Sequence, residues 1–283
     1  MKKSVAVIGA GGKMGARAAE KIGFSDAYNV LLCESDANRA RALVDMGLTV
    51  TATGDAMAEA DFVVMAVPDA VIGAVGRQLV PQMKQGGTLI MLDAAAAYIG
   101  ELPEREGITQ MITHPCHPPF FTEQATPEAR QDCFGGTAIQ DIIVSLIKGS
   151  EESFAEGTEI CRAIFAPVNR ALRVTPEQFA FLEPAMSEIV MAAAANWMKQ
   201  SMELAIEKGV PREAAEAFTA GHARIAMAIV FGAEKSPFSD AAQLAIEWGT
   251  NKYINPEWRR VYERDTLAGA IRDILKPRTA VVA

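Results

Sequence analysis

The sequence predicts an α/β fold, a doubly wound parallel sheet followed by an all-helical C-terminal domain, and three observations carry that prediction. Short, continuously apolar runs recur through the first half of the chain, as expected of strands covered on both faces. Helix-like stretches separate them, the β-α-β-α rhythm of parallel strands joined by crossovers. Beyond about residue 165 no comparable runs occur, and helix start and stop signals take over.

The first run, Val5 to Ile8, leads straight into Gly9-Ala10-Gly11-Gly12-Lys13-Met14-Gly15 and a helix over Lys13 to Ile22. A second run, Val30 to Cys33, ends on Glu34, and the helix Ala37 to Met46 stops at Gly47. The third run, Phe62 to Val67, ends at Pro68. The fourth is Leu89 to Leu92, and the fifth, Met111 to Thr113, opens into a loop rich in histidine and proline. Later, Thr175-Pro176-Glu177-Gln178 has the form of a capping box with proline at the first helical position. Its helical pattern continues to Lys208, with Pro184 as a kink and Gly209 as a stop. A further helix runs from Val210-Pro211 through Phe231, and shorter ones cover Asp240 to Trp248 and Pro256 to Leu275. The boundary falls near Pro167 and Pro176, giving a nucleotide-type domain over 1–170 and a helical domain over 171–283.

Of 283 residues half are hydrophobic, and 27 basic side chains face 35 acidic ones for a net charge of −8. An acidic chain lacks the cationic excess that displaces counterions from nucleic acid, so no nucleic-acid partner is expected. No apolar run approaches the ~18–20 residues of a membrane span. The first apolar run breaks into glycines, so no signal peptide is expected either. Four cysteines without CxxC spacing fit reduced thiols and a cytoplasmic location. The apolar helices of the second half have much surface to cover, which predicts a homodimer.

Strand, glycine loop and helix in that order form a dinucleotide cradle. Gly9 permits the tight turn, Gly11 or Gly12 lets backbone N–H groups approach a pyrophosphate, and Gly15 allows close helix packing. The loop residues Gly9, Gly11, Gly12, Lys13, Met14 and Gly15 are therefore candidate cofactor contacts. The spacing is GxxGxxG, with Met14 where the third glycine of the common pattern falls, and it resembles the loops of dihydrodipicolinate reductase and prephenate dehydrogenase. Glu34, nineteen residues after Gly15, is placed to accept the adenosine-ribose hydroxyls and to repel a 2′-phosphate, which favours NAD. Asp36 is the alternative acid. Val67 and Pro68 end a buried strand on the ligand side, as candidate wall of the nicotinamide site.

The chain has only three histidines. His114 and His117 fall in Thr113-His114-Pro115-Cys116-His117-Pro118-Pro119, a stiff loop at the carboxyl edge of the sheet. Either imidazole can take a hydroxyl proton while hydride leaves the same carbon. Alternatively the loop binds a divalent metal through His117 with Glu183, or its histidines merely cap backbone carbonyls. Glu183 lies in an apolar segment, Phe181 to Ile189, where a carboxylate needs a partner. It is the third catalytic candidate, or else an exposed acid on a helix. His222, mid-helix among alanines, reads as a packing residue.

The glycine loop, Glu34, Val67-Pro68 and the His-Pro turn together resemble the 6-phosphogluconate/prephenate dehydrogenase group over nearly the whole chain. More narrowly, the string His114-Pro115-Cys116-His117-Pro118-Pro119 is similar to the D-apionate oxidoisomerase family. That resemblance implies NAD, a small sugar-acid substrate, oxidation of a secondary hydroxyl to give 3-oxo-isoapionate, and an active-site role for the His114–His117 loop. The catalytic helix lysine of the hydroxyacid dehydrogenases has no clear counterpart here, since the helix after Thr175 offers Glu183 and Asn196 before Lys199. A prephenate-type or 2-hydroxyacid/6-phosphogluconate-like dehydrogenase is the alternative within this chemistry. A non-catalytic NAD-sensing regulator is the alternative outside it.

Overall fold

The computed structural model describes residues 2–276. In chain order its first elements are β1 (Lys3–Ile8), α1 (Lys13–Ile22), β2 (Tyr28–Cys33), α2 (Ala37–Asp45), α3 (Thr53–Glu59) and β3 (Phe62–Met65). There follow α4 (Asp69–Leu79), β4 (Thr88–Met91), α5 (Ala95–Tyr98), β5 (Thr109–Pro115), α6 (Pro127–Gln131), β6 (Gln140–Lys148), α7 (Glu151–Ile164), β7 (Val168–Arg173) and α8 (Pro176–Ala180). Among the described residues the strands form one seven-stranded sheet in the order β2-β1-β3-β4-β5-β6-β7. β1 to β5 run parallel, β6 lies antiparallel to β5, and β7 is parallel to β6.

The continuous apolar runs have a direct cause. Val5 and Val7 point into a core shared with Ala18, Ile22, Phe154 and Ile160 of α1 and α7. Ala6 and Ile8 point the other way, toward Met57, Ile72 and Leu79 of α3 and α4. With helices on both faces, every residue of β3 and β4 is buried and no polar alternation survives. The parallel sheet read from the sequence thus gains two further strands, both running opposite to the first five. β7 is an edge strand whose residues are all exposed or half-buried, so it has no apolar run to signal it. Residue 170, where the domain division is expected, lies inside this hydrogen-bonded strand. By its contacts the chain divides instead at Glu183/Pro184: one compact unit ends at Glu183 and resumes at Ala268, and the other is Pro184–Leu267. Met1 and residues 277–283, the ends of the expected ranges, lie outside the described residues.

The capping box at Thr175 forms as read, with both Thr175 and Gln178 side chains bonded to the backbone. The helix it starts does not run on with a simple kink. Glu183 is fully non-helical, at φ −141° and ψ 124°, because the ring of Pro184 disfavours helical backbone at the residue before it.

Pro184–Leu267 contains α9 (Ala193–Glu207), α10 (Arg212–Val230) and α11 (Asp240–Tyr253). Neither α9 nor α11 buries a single residue. Trp197, Phe218, Phe231, Leu244 and Trp248 stand exposed on this unit. The helix expected over Pro256 to Leu275 is interrupted at Glu263, which separates a 3-10 segment, Pro256–Tyr262, from α12 (Arg264–Ile274). No helix among the described residues is long and apolar enough to cross a membrane.

Candidate active site

The glycine loop is built as a cradle. Gly9 takes φ +81° and its N–H donates to Cys33 O at 2.9 Å, while Gly12 caps α1 in extended conformation. A Cβ on Gly9 would meet Ala66 O at 2.8 Å and Val67 Cγ1 at 3.1 Å, and one on Gly15 would meet Gly9 O at 2.0 Å. The first helical turn, the loop and the end of β3 therefore close on one another with no room for side chains. This fits the approach of a pyrophosphate to bare backbone at a helix N-terminus. Met14 turns partly into the core beneath α1, and Lys13 reaches across to the Phe134 ring, Nζ 4.3 Å from its centroid.

Glu34 sits half-buried beside the loop, its Oε2 accepting from Gly11 N–H at 2.8 Å and its Oε1 from Asp36 N–H at 2.9 Å. A carboxylate has about four acceptor positions; two remain, matching the two hydroxyls of an adenosine ribose. Asp36, the alternative acid, is the N-cap of α2 and accepts from Arg39 N–H.

Three of the sequence candidates converge at the carboxyl ends of β4 and β5. His114 Nδ1 donates to Leu92 O at 2.9 Å and also lies 3.0 Å from Glu183 Oε2. Because the ring N–H is aimed at the carbonyl, Oε2 makes an ionic contact and remains buried without a hydrogen bond. The extended backbone that Pro184 imposes on Glu183 accompanies this approach. His117 holds φ +61°, the only non-glycine residue with positive φ among those described. Such a conformation costs roughly 1–3 kcal/mol and gathers at functional sites. Its Nδ1 donates to Phe134 O at 2.8 Å, which fixes the neutral tautomer with a lone pair on Nε2. The two imidazole centroids are 6.0 Å apart.

Their electrostatics differ. Burial opposes charge on His114, but Glu183, the Leu92 carbonyl and Asp93 outweigh it and hold the imidazolium above the usual histidine range. Burial, together with the nearby His114 and Arg17 charges, pushes His117 below that range. One imidazole is thus disposed to keep a proton and the other to accept one, a division of acid and base roles by environment.

Two further acids belong to this cluster and went unassigned in the sequence. Asp93 follows β4 and accepts from Ala95 N–H at 2.6 Å; burial and the charges of Glu183 and Asp69 push its carboxyl up to about 7. Asp69 opens α4, and burial and Glu183 raise it as well. A signal for Asp93 existed: like Glu34, it is the first charged residue after a buried strand. His222, in the other unit, stacks on Phe218 at 3.8 Å and donates from Nδ1 to its carbonyl at 2.9 Å, a local packing role.

Both titrations favour the fold at low pH. Asp93 withdraws stability as pH rises from the ordinary carboxylate range through about 7, and His114 as pH rises above the ordinary histidine value through its raised one. His117 acts oppositely, but only below the ordinary histidine value. A thermal melt is expected to show a lower Tm at about pH 8 than at about pH 6, and Asp93→Asn to flatten that decline. Among the described residues there is no group of three or more His, Cys, Asp or Glu side chains that could hold a metal ion.

Comparison with known proteins follows the same lines. Residues 122–275 match the family model "Phosphogluconate dehydrogenase (decarboxylating) C-term", and residues 4–95 match "NADP oxidoreductase coenzyme F420-dependent". A D-apionate oxidoisomerase of Cupriavidus necator is 40% identical over 97% of this chain and 100% of its own length. One of Rhizobium rhizogenes is 41% identical over 95% and 98%. A crystal structure described as a semialdehyde dehydrogenase NAD-binding protein from Cupriavidus necator, in complex with calcium and NAD, superposes with a TM-score of 0.92. It is 40% identical and covers 97% of this chain and all of its own. With a dinucleotide-binding Rossmann fold and likeness at this level over its whole length, the chain belongs to the D-apionate oxidoisomerase family.

Proposed function

We propose that this protein is an NAD-dependent oxidoisomerase that converts D-apionate, a small branched polyhydroxy acid, to 3-oxo-isoapionate. The observation that carries the reading is that, at the carboxyl edge of the nucleotide sheet, His117 donates from Nδ1 to Phe134 O and leaves Nε2 free beside His114, whose Nδ1 lies 3.0 Å from Glu183, while burial and neighbouring charges lower the one imidazole and raise the other. Bound NAD supplies the hydride acceptor. His117 takes the proton of the secondary hydroxyl as the carbinol hydrogen leaves as hydride, so CH–OH becomes a ketone. Isomerisation then needs no further redox step. The neighbouring tertiary hydroxyl gives up its proton, one substituent shifts with its bonding pair to the new carbonyl carbon, and the alkoxide left there regains a proton. Protons balance across this shift, so a group that donates and takes back one proton suffices, and His114 with Glu183 is placed for that.

The same reading favours NAD over NADP on the Glu34 carboxylate. Glu34→Gln is expected to lower kcat/KM for NAD while raising the NADP-to-NAD ratio by about tenfold or more, equivalent to roughly 1.4 kcal/mol. The exposed apolar helices of Pro184–Leu267 support a homodimer, for which light scattering would return twice the mass of the chain. The four free cysteines fit a reducing cytoplasm. The test of function is incubation with NAD and D-apionate, following NADH absorbance and identifying the product by mass spectrometry. NADH with the rearranged product supports the proposal. Turnover of 2-hydroxyacids in preference to D-apionate would replace it with a simple dehydrogenase, and tight NAD binding with no turnover of any acid with a sensor.

A further inference from the structure

One face of α1 carries three cations at successive helical turns, Lys13, Arg17 and Lys21, and all three close on a single turn of backbone. Lys13 covers the Phe134 ring. Lys21 Nζ donates to Gly136 O at 2.6 Å. Arg17, only 6% exposed, donates from Nη1 to Phe134 O at 3.1 Å and lies between the Phe134 and Phe165 rings, 5.2 and 5.3 Å from their centroids. The turn is fixed from its other side by Asp132, whose two oxygens accept the N–H groups of Phe134, Gly135, Thr137 and Ala138. Arg17 engages two carbonyls, Phe134 O and, from Nη2 at 3.5 Å, Phe165 O, and the first of these is the one that receives His117 Nδ1–H.

A buried guanidinium with no carboxylate within ion-pair distance among the described residues is an expensive choice. Packing alone would be served by an apolar side chain. We propose that Arg17 is a positioning residue for His117, holding the Phe134 carbonyl where it selects the His117 tautomer and aims Nε2 toward the reacting carbon. Asp132 has the same role from the opposite side of the turn. The helix whose N-terminus cradles the cofactor thereby also sets the orientation of the base. This inference rests on the assignment of His117 as the proton acceptor.

The experiment is a double-mutant cycle on the full-length protein with D-apionate and NAD, combining Arg17→Met with His117→Ala. The expected result is a kcat about tenfold or more lower in Arg17→Met, as small misplacements of catalytic groups produce. KM for NAD stays within about twofold of wild type, and the double variant is no slower than His117→Ala alone. Arg17→Lys, which can still donate to the carbonyl, recovers part of the loss. Asp132→Ala, at a half-buried turn, supplies the same measurement should Arg17→Met fold poorly. Losses that multiply in the double variant, or a wild-type kcat in both Arg17→Met and Asp132→Ala beside an impaired His117→Ala, overturn the positioning role alone. A wild-type kcat in His117→Ala overturns the functional assignment beneath it.

Discussion

His117→Asn is expected to lower kcat by about 10²- to 10⁴-fold, the range a general base contributes, with little change in Tm. Asparagine tolerates the left-handed backbone that His117 adopts at φ +61°, and its amide can still donate to the Phe134 carbonyl. What it lacks is a titratable lone pair. Stability and activity are thereby separated, which His117→Ala would not do as cleanly. The pH dependence adds a second check. Burial and neighbouring cations keep His117 below the ordinary histidine value, so kcat/KM is expected to stay level down to about pH 6.5 and to fall only at more acid pH, where the base becomes protonated. An activity that survives the asparagine substitution would remove His117 from the chemistry.

Gly15→Ala is expected to be among the costlier single methyl additions in the chain. Its Cβ would stand 2.0 Å from Gly9 O and 2.8 Å from Ala10 Cα, and both are backbone that cannot rotate away. Relief requires α1 to lift from the loop, so the helix N-terminus no longer points at the phosphates. A loss of roughly 1–3 kcal/mol in stability and a weakening of NAD affinity by about 100-fold, equivalent to roughly 2.7 kcal/mol, are expected from a thermal melt and a fluorescence titration. Gly47→Ala is the control. Unlike Gly15 it has a positive φ, +85°, but its Cβ would meet open space, so it carries backbone strain without touching the cradle.

These two residues mark the limits of what the letters convey. β1 to β5 were legible because helices on both faces demand unbroken apolar runs, whereas edge strand β7, half-exposed throughout, left no such trace. Pro184 announced a disturbance in its helix. That the disturbance lets Glu183 approach His114 depends on where β5 ends, which is a tertiary fact. Asp93 had a positional signal, the first charge after an apolar run. Arg17 read as one more basic residue on a helix, and the acceptor it shares with His117 is a main-chain carbonyl, to which no side-chain type corresponds. Chemistry carried by backbone is where sequence reading stops.

Glu34 has a kinetic consequence. Its carboxylate is held by Gly11 and Asp36 N–H groups, so under the proposed cofactor assignment ribose hydroxyls meet acceptors already ordered by the backbone. Preorganisation of this kind spares the entropy otherwise lost on binding and leaves little rearrangement to slow the encounter. Affinity differences among dinucleotides at this site are then expected to lie in how long each one stays rather than in how fast it arrives.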